Sequence, residues 1–238
     1  LPYTQNWDLV TAPALPFDWT NIIQSTSTTA FVGTYASTTY AHSQPNTARL
    51  YNPSDADATL LLVGPPLAAT LPVNAVRVKF WARSSGANYP LSLGVLSDPT
   101  DASTYTEVHA LTMTTTLTEY TYDMTTYAGT GTHIAFKHGL GGTGRSHYID
   151  DISFEQIGAD DLGCYALVGS TTPSVGDATT YIAVVQNWGT AAQDTYTVKL
   201  FDGANGELAT TPGVNVAPGT TIDIPLTWTP TVQGEVQL

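Results

Sequence analysis

Short segments that alternate apolar and polar residues recur along the whole chain, and Gly, Pro, Asn and Asp separate them. In the segment AVRVKFWA at 75–82, Val76, Val78 and Phe80 fall on one face of a strand, and the intervening side chains fall on the other. Many short strands with turn residues between them are typical of β-sandwiches and jelly rolls. The sequence therefore predicts an all-β fold.

The predicted strands fall into two groups, with a boundary near 156–161. The first group comprises 30–34, 48–51, 59–63, 75–82, 91–96, 107–113, 118–123, 133–138 and 148–155. The second comprises 162–169, 179–188, 195–202, 207–210 and 220–229. We expect a jelly-roll β-sandwich at 1–157 and a smaller immunoglobulin-like β-sandwich at 160–238. The strand-like end at 234–238 indicates that the polypeptide continues or that this domain lacks its last strand.

The balance of charge excludes several classes of partner. The chain has 20 Asp and Glu residues against seven Lys and Arg, which gives a formal net charge of -13. Phosphate contacts require cations, so neither nucleic acid nor an anionic membrane surface is an expected partner. No apolar run approaches the about 18 residues of a transmembrane helix, so we expect no membrane insertion. The chain begins at Leu1 without Met, which indicates a mature piece of a larger polypeptide.

The usual catalytic signatures are missing from the sequence. Cys164 is the one cysteine, and with no histidine near it we expect a small buried residue rather than a nucleophile. The histidines form no H-E-x-x-H motif, and no G-x-S-x-G motif is present. We therefore predict that the chain is not an enzyme. Two alternatives remain open: an accessory or catalytic region of a secreted glycosidase or protease, and a structural spacer.

The segment YIDDISFE at 148–155 resembles the last strand of the cleaved-adhesin domains of gingipains and haemagglutinins, and of the related MAM-like domains. Three further matches agree in order and spacing: LPYTQNWD at 1–8 with LPFDW at 15–19, VRVKFWA at 76–82, and IAFKH at 134–138. The resemblance covers about residues 1–157. Residues 160–238 resemble the CARDB-like or fibronectin-like sandwiches that often follow such domains.

The resemblance implies a jelly-roll fold, non-catalytic adhesion or ligand binding, structural calcium, and export to the cell surface. The resemblance does not name a ligand, and we expect a glycan or the surface of a host or matrix protein as the partner. In the resembling domains, an acidic residue near the first strand and the paired Asp of the last strand lie close to calcium. The matching positions here are Asp8, Asp150 and Asp151.

The residues themselves also indicate a calcium site. Asp150 and Asp151 are consecutive in a predicted strand, where Asp is disfavoured, and calcium prefers about six to eight oxygen ligands. In a regular strand the two side chains would point to opposite faces, so that one of them would face the metal. Asn46, in the turn SQPN at 43–46, is a further candidate ligand.

A glycine-rich segment, GLGGTG at 139–144, contains the spacing G-x-G-x-x-G. A dinucleotide site requires a helix after this motif, whereas a strand follows it here, so the motif does not indicate nucleotide binding. A flexible loop at one end of the sandwich is the preferred interpretation. Arg145, His147 and Tyr148 follow this loop, and they are the predicted contacts to a ligand.

Overall fold

The computed structural model describes residues 3–203 and 206–235. The chain divides into two compact units, Leu1–Gln156 and Ile157–Leu238. The strands of the first unit are β1 (Tyr3–Gln5), β2 (Thr20–Gln24), β3 (Phe31–Ala36), β4 (Asn46–Asn52), β5 (Thr59–Pro66), β6 (Val76–Ser84), β7 (Tyr89–Leu96), β8 (Thr106–Met113), β9 (Thr118–Asp123), β10 (His133–His138) and β11 (Arg145–Gln156). The predicted all-β class is therefore confirmed.

Two antiparallel sheets form the first unit. The front sheet has the strand order β3-β4-β11-β6-β9, and the back sheet has the order β2-β5-β10-β7-β8. The short strand β1 also belongs to the front sheet, where Tyr3 lies opposite Phe154 on β11. Because β11 pairs with β4, β6 and β1, it is the central strand of the front sheet.

The core lies between these two sheets. Val76, Val78 and Phe80 on β6 are fully buried, as their alternation with polar residues predicted. The ring of Phe80 meets Phe136 of the back sheet edge-on, with 4.9 Å between the ring centroids. Aromatic rings pack favourably in this arrangement because the edge of one ring carries the opposite partial charge to the face of the other.

Of the two strands near the amino terminus, β2 was not predicted, whereas β1 lies within the segment at 1–8, which resembles the first strand of the cleaved-adhesin domains. β1 has three residues and β2 has five, so neither shows a clear alternation of its own. Each forms by pairing with a longer strand: β1 pairs with β11, and β2 pairs with β5.

The second unit is a smaller sandwich. Its strands are β12 (Leu162–Val168), β13 (Thr179–Asn187), β14 (Thr197–Asp202), β15 (Gly206–Pro212) and β16 (Thr221–Trp228). One sheet has the order β12-β13-β16, the other pairs β14 with β15, and Tyr181, Leu200 and Leu226 pack in the core between them. The strand suggested by the pattern at 234–238 includes residues 236–238, which lie outside the described residues.

Cys164 is exposed, so the expectation that it is buried was wrong. It lies on β12, an edge strand that pairs with β13 alone, and the pairing register shifts between Cys164 and Ala166. A bulge of this kind changes the face to which a side chain points. In the part of the chain that the structure describes, no helix has the length and apolarity needed to cross a bilayer.

Replacing Phe80 by Ala removes a fully buried ring, so we expect the free energy of unfolding to fall by about 3–5 kcal/mol. Urea unfolding followed by circular dichroism measures this change. Tyr165→Ala is the control, because that ring is 67% exposed and its loss should change stability by about 0.5 kcal/mol at most. Equal effects of the two substitutions would contradict the assignment of Phe80 to the core.

Candidate functional site

A bulge on β11 brings two carboxylates to one side of the front sheet. The register between β11 and β6 shifts between Asp150 and Ser153, and Asp151 has a backbone φ of 44°, in the left-handed region. Left-handed backbone is unfavourable for a residue with a Cβ atom, and such strain often marks functional positions. The expectation that the two side chains point to opposite faces was wrong, because the extra residue of a bulge interrupts the alternation.

Both carboxylates contact the same short stretch of the loop at 37–45, which connects β3 to β4. The Asp150 carboxylate accepts hydrogen bonds from the backbone N–H groups of His42, at 2.7 Å, and of Asp151, at 2.8 Å. The Asp151 carboxylate accepts a hydrogen bond from the hydroxyl of Ser43 at 2.8 Å and contacts Nδ1 of His42. These contacts fix the end of the loop against the bulge.

The same loop lies on the outer face of the front sheet. The ring of His42 stacks on Trp81 with 3.9 Å between the centroids, and Tyr40 stacks on Tyr148 at 4.2 Å. Trp81 is on β6, on the face opposite the core residue Phe80. A single loop therefore connects the acidic bulge to the aromatic residues of the sheet face.

Asp8 and Asn46 complete the group of predicted ligands. The backbone N–H of Asn46 donates to Oδ1 of Asp8 at 3.4 Å, and the Asn46 side-chain amide donates to the carbonyls of Trp7, at 3.2 Å, and Val10, at 2.9 Å. The charge of Asp8 also acts on Asp150. The structure thus places all four residues that the sequence suggested as ligands in one region of the first unit.

The electrostatics of Asp150 are unusual for a carboxylate. Burial, with further contributions from the charges of Asp151 and Asp8, raises its pKa to about 7. The two backbone hydrogen bonds that it accepts oppose this shift. Within residues 3–203 and 206–235, none of the ion pairs that Lys and Arg form involves Asp8, Asp150 or Asp151. The three acids therefore concentrate negative charge around a carboxylate that has no exposed surface.

The oxygen atoms of these side chains are of the kind that a hard cation binds. A calcium ion would remove the repulsion among the three acids, and it accepts carboxylate, amide and backbone carbonyl oxygens as ligands. Among the described residues, no three His, Cys, Asp or Glu side chains are close enough to hold a metal ion by themselves. Amide and backbone oxygens would therefore supply the remaining ligands.

Arg145, His147 and Tyr148 do not form one contact surface. Tyr148 points to the outer face of the front sheet, where Tyr40 covers it, whereas His147 is fully buried on the core side. The guanidinium of Arg145 stacks over Tyr89, 4.3 Å from the centroid of that ring. Because successive side chains of a strand point to opposite faces, His147 and Tyr148 do not share a face, and the predicted ligand contacts stay a prediction.

The glycine-rich segment at 139–144 is tied to the body of the unit. The backbone N–H groups of Gly139, Gly141 and Gly144 donate to the carbonyls of Pro90, Ala56 and Pro53, respectively, each at 3.0 Å. Gly141 and Gly144 have φ values of 70° and 68°, a conformation in which glycine is least strained. The backbone conformation of this segment therefore explains why it contains glycines.

Under this segment lies a pair of histidines, with the rings of His138 and His147 4.8 Å apart. Among the described residues, neither ring nitrogen of His147 makes a well-formed hydrogen bond, although the backbone of Pro90 acts on its pKa as a weak partner. Burial, followed by the effect of His138, lowers the pKa of His147 to about 3. His147 is therefore neutral in the folded protein at ordinary pH.

A cavity of about 610 Å³ lies in the second unit. Apolar side chains such as Leu167, Tyr181 and Trp228 line it together with several small polar residues. Its lining contains one carboxylate among the described residues, Glu235, and no histidine. Acid–base catalysis of glycoside hydrolysis ordinarily requires a pair of carboxylates, so the cavity does not favour the alternative of a glycosidase.

Solved structures with a similar fold were found, although no protein-family model and no curated protein matches the chain. The K2 cleaved adhesin domain of Lys-gingipain is 16% identical with a TM-score of 0.51, and the match covers 65% of this chain and 98% of that domain. The K1 domain, from Porphyromonas gingivalis W83, is 14% identical with a TM-score of 0.51, covering 66% and 99%. A xylan-binding domain from Paenibacillus barcinonensis Xyn10C is 12% identical with a TM-score of 0.42, covering 65% and 92%.

The two similarities to cleaved adhesin domains show the fold of this part of the chain. Over about two thirds of its length, the chain has the fold of the two gingipain cleaved adhesin domains. The resemblance predicted from the sequence is therefore confirmed as a similarity of fold. Because one fold can carry many functions, the function has to be argued from the site.

Replacing His147 by Leu should make the protein more resistant to acid. The folded-state pKa of His147 is below that of an unfolded histidine, so its contribution to stability is complete above about pH 6.5 and is lost as the pH falls towards 3. We expect wild type to lose, relative to His147→Leu, about 1.4 kcal/mol for each pH unit below about 6. Urea unfolding of both proteins at pH 7 and pH 5 measures this difference.

The comparison of the two proteins cancels the contributions of groups that they share, including Asp150. An equal pH dependence of wild type and His147→Leu would contradict a neutral, buried His147.

Proposed function

We propose that the chain is a non-catalytic adhesion or ligand-binding module of an exported surface protein, with a calcium ion stabilising its first unit. Asp8, Asn46, Asp150 and Asp151 would hold the metal. The observation that carries the proposal is the fully buried Asp150 carboxylate, which lies beside two other acids and has no Lys or Arg partner in the described chain.

The position of this site supports a role in organising a binding surface. Asp150 and Asp151 both contact the loop at 37–45, and the same loop places Tyr40 and His42 on the outer face of the front sheet. Calcium at the bulge would stabilise this loop. It would thereby fix the partly exposed ring of Tyr40 on the outer face of the front sheet.

The front-sheet face has the composition of a glycan-binding surface. Three partly exposed tyrosines, Tyr35, Tyr40 and Tyr51, lie on it, beside Tyr148, which Tyr40 covers, and Trp81, on which His42 stacks. Flat rings pack against the C–H groups of a sugar ring, and the tyrosine hydroxyl groups supply hydrogen bonds. We therefore prefer a glycan to a host or matrix protein as the partner.

Calcium should raise the melting temperature of the full chain. A ligand that binds only the folded protein stabilises it by about 2.7 kcal/mol when its concentration is 100 times its dissociation constant. Differential scanning calorimetry with excess calcium, and with a chelator, measures the shift. No difference between the two conditions would overturn the metal site.

Substitution of single acids tests where the calcium binds. Asp150→Asn should abolish most of the shift, and Asp8→Asn, which leaves the bulge intact, should reduce it. Asp57→Asn is the control, because Asp57 is an exposed acid in another loop. A calcium shift of wild-type size in both Asp150→Asn and Asp8→Asn would place the metal elsewhere.

A further inference from the structure

The few cations of this chain are concentrated on one surface. Of its seven Lys and Arg residues, four lie on the outer face of the front sheet, namely Arg49, Arg77, Lys79 and Arg83. Arg77 pairs with Asp123, and Lys79 pairs with Glu155. Among the described residues, Arg49 and Arg83 pair with no carboxylate. In a chain with 20 acidic residues, two arginines that lack such a partner require an explanation.

These two arginines lie in one row across three strands. Tyr148 on β11 is directly opposite Arg49 of β4 on one side and Arg83 of β6 on the other. Neighbouring strands are about 4.8 Å apart, so the backbones of the two arginines are about 10 Å apart. The side chain of Tyr148 lies between the two charges.

Stacking on aromatic rings holds both guanidinium groups in place. The Arg49 guanidinium is 4.2 Å from the ring centre of Tyr51 and 4.8 Å from that of Tyr35, and the Arg83 guanidinium is 5.0 Å from the ring centre of Tyr40. A cation over a ring face is attracted to it, but the ring does not accept hydrogen bonds as a carboxylate does. The charges are therefore positioned without being neutralised.

The hydrogen bonds of the two arginines leave donors available. Nε and Nη2 of Arg49 donate to the hydroxyl of Ser146 at 3.1 and 2.9 Å, so one serine oxygen takes two of its five N–H groups. Nε of Arg83 is shielded from solvent and therefore cannot reach a ligand, so the Nη groups are the donors that this arginine could offer. A fixed, planar guanidinium with free N–H groups is suited to bidentate binding of a carboxylate.

We propose that the row of Arg49, Tyr148 and Arg83, with Tyr40 beside it, binds a saccharide that carries carboxylate groups. The guanidinium groups donate hydrogen bonds to the carboxylates, and the partly exposed ring of Tyr40, which covers Tyr148, packs against a sugar ring. This inference rests on the proposed function as a glycan-binding module, and it names the chemical class of the glycan. Uronic acid oligomers belong to this class.

The test measures binding of an oligogalacturonate to the full, calcium-saturated chain by isothermal titration calorimetry. A neutral galactose oligomer of equal length is the comparison ligand. We expect the oligogalacturonate to bind at least about tenfold more tightly than the neutral oligomer, which corresponds to about 1.4 kcal/mol. Because the attraction involves charges, the preference should decrease as salt is added.

Single substitutions identify the residues responsible. Arg83→Gln should weaken oligogalacturonate binding about tenfold or more and leave binding of the neutral oligomer nearly unchanged, and Arg83→Lys should have a smaller effect. Arg77→Gln is the matched control, because it removes an equal charge from the same sheet face where the arginine pairs with Asp123. Melting temperatures identify any variant that fails to fold, and Arg49→Gln then replaces Arg83→Gln as the test.

Several results would overturn the proposal. These are equal binding of the acidic and neutral oligomers, unchanged oligogalacturonate binding in Arg83→Gln, or no binding of oligogalacturonate at all. If polyglutamate bound as tightly as the oligogalacturonate, the surface would be one for acidic peptides. Tighter binding of heparin would show a preference for sulfate. These results differ from a failure of the proposed function itself. In that case calcium would not shift the melting temperature, and no glycan would bind.

Discussion

The arrangement of the front-sheet surface depends on the burial of one carboxylate. Asp150 loses its contact with water because the loop at 37–45 closes over the β11 bulge, and the backbone N–H of His42 replaces part of that hydration. The hydrogen bonds do not fully replace the lost hydration, which is why the pKa of Asp150 is raised. A carboxylate buried in this way is stable either as the neutral acid or beside a cation. The loop, the bulge and the nearby acids are thus parts of one electrostatic arrangement.

Local patterns in the sequence predicted most of the fold. The alternation around Phe80 gave both the strand and its buried face, and the pair Asp150-Asp151 marked the acidic site. The bulge could not be predicted, because it depends on how β11 pairs with β6. The stacking of Tyr40 on Tyr148 could not be predicted either, since these residues are far apart in the sequence and meet only when the loop folds back. Alternation alone, once the strands are known, places His147 on the core side.

The outer face of the front sheet has two electrostatic parts. The arginine row passes through Tyr148, and the next row on the same face, two residues along β11, contains Asp150 opposite Trp81. The row with the arginines and the row with Asp150 are therefore about 7 Å apart along the strands. A surface of this kind favours a partner with a defined orientation, because reversing the partner would place its charges against groups of the same sign.

The loop at 37–45 joins these two parts physically, since His42 contacts the acids and Tyr40 lies under the guanidinium of Arg83. A ligand that binds more tightly when Tyr40 is fixed, and a cation that favours the same loop position, would each promote binding of the other. Thermodynamics requires this effect to be reciprocal. The factor by which the cation increases the affinity for the ligand equals the factor by which the ligand increases the affinity for the cation. In surroundings poor in calcium, a polymer presenting many copies of the ligand would thus retain the ion on the protein.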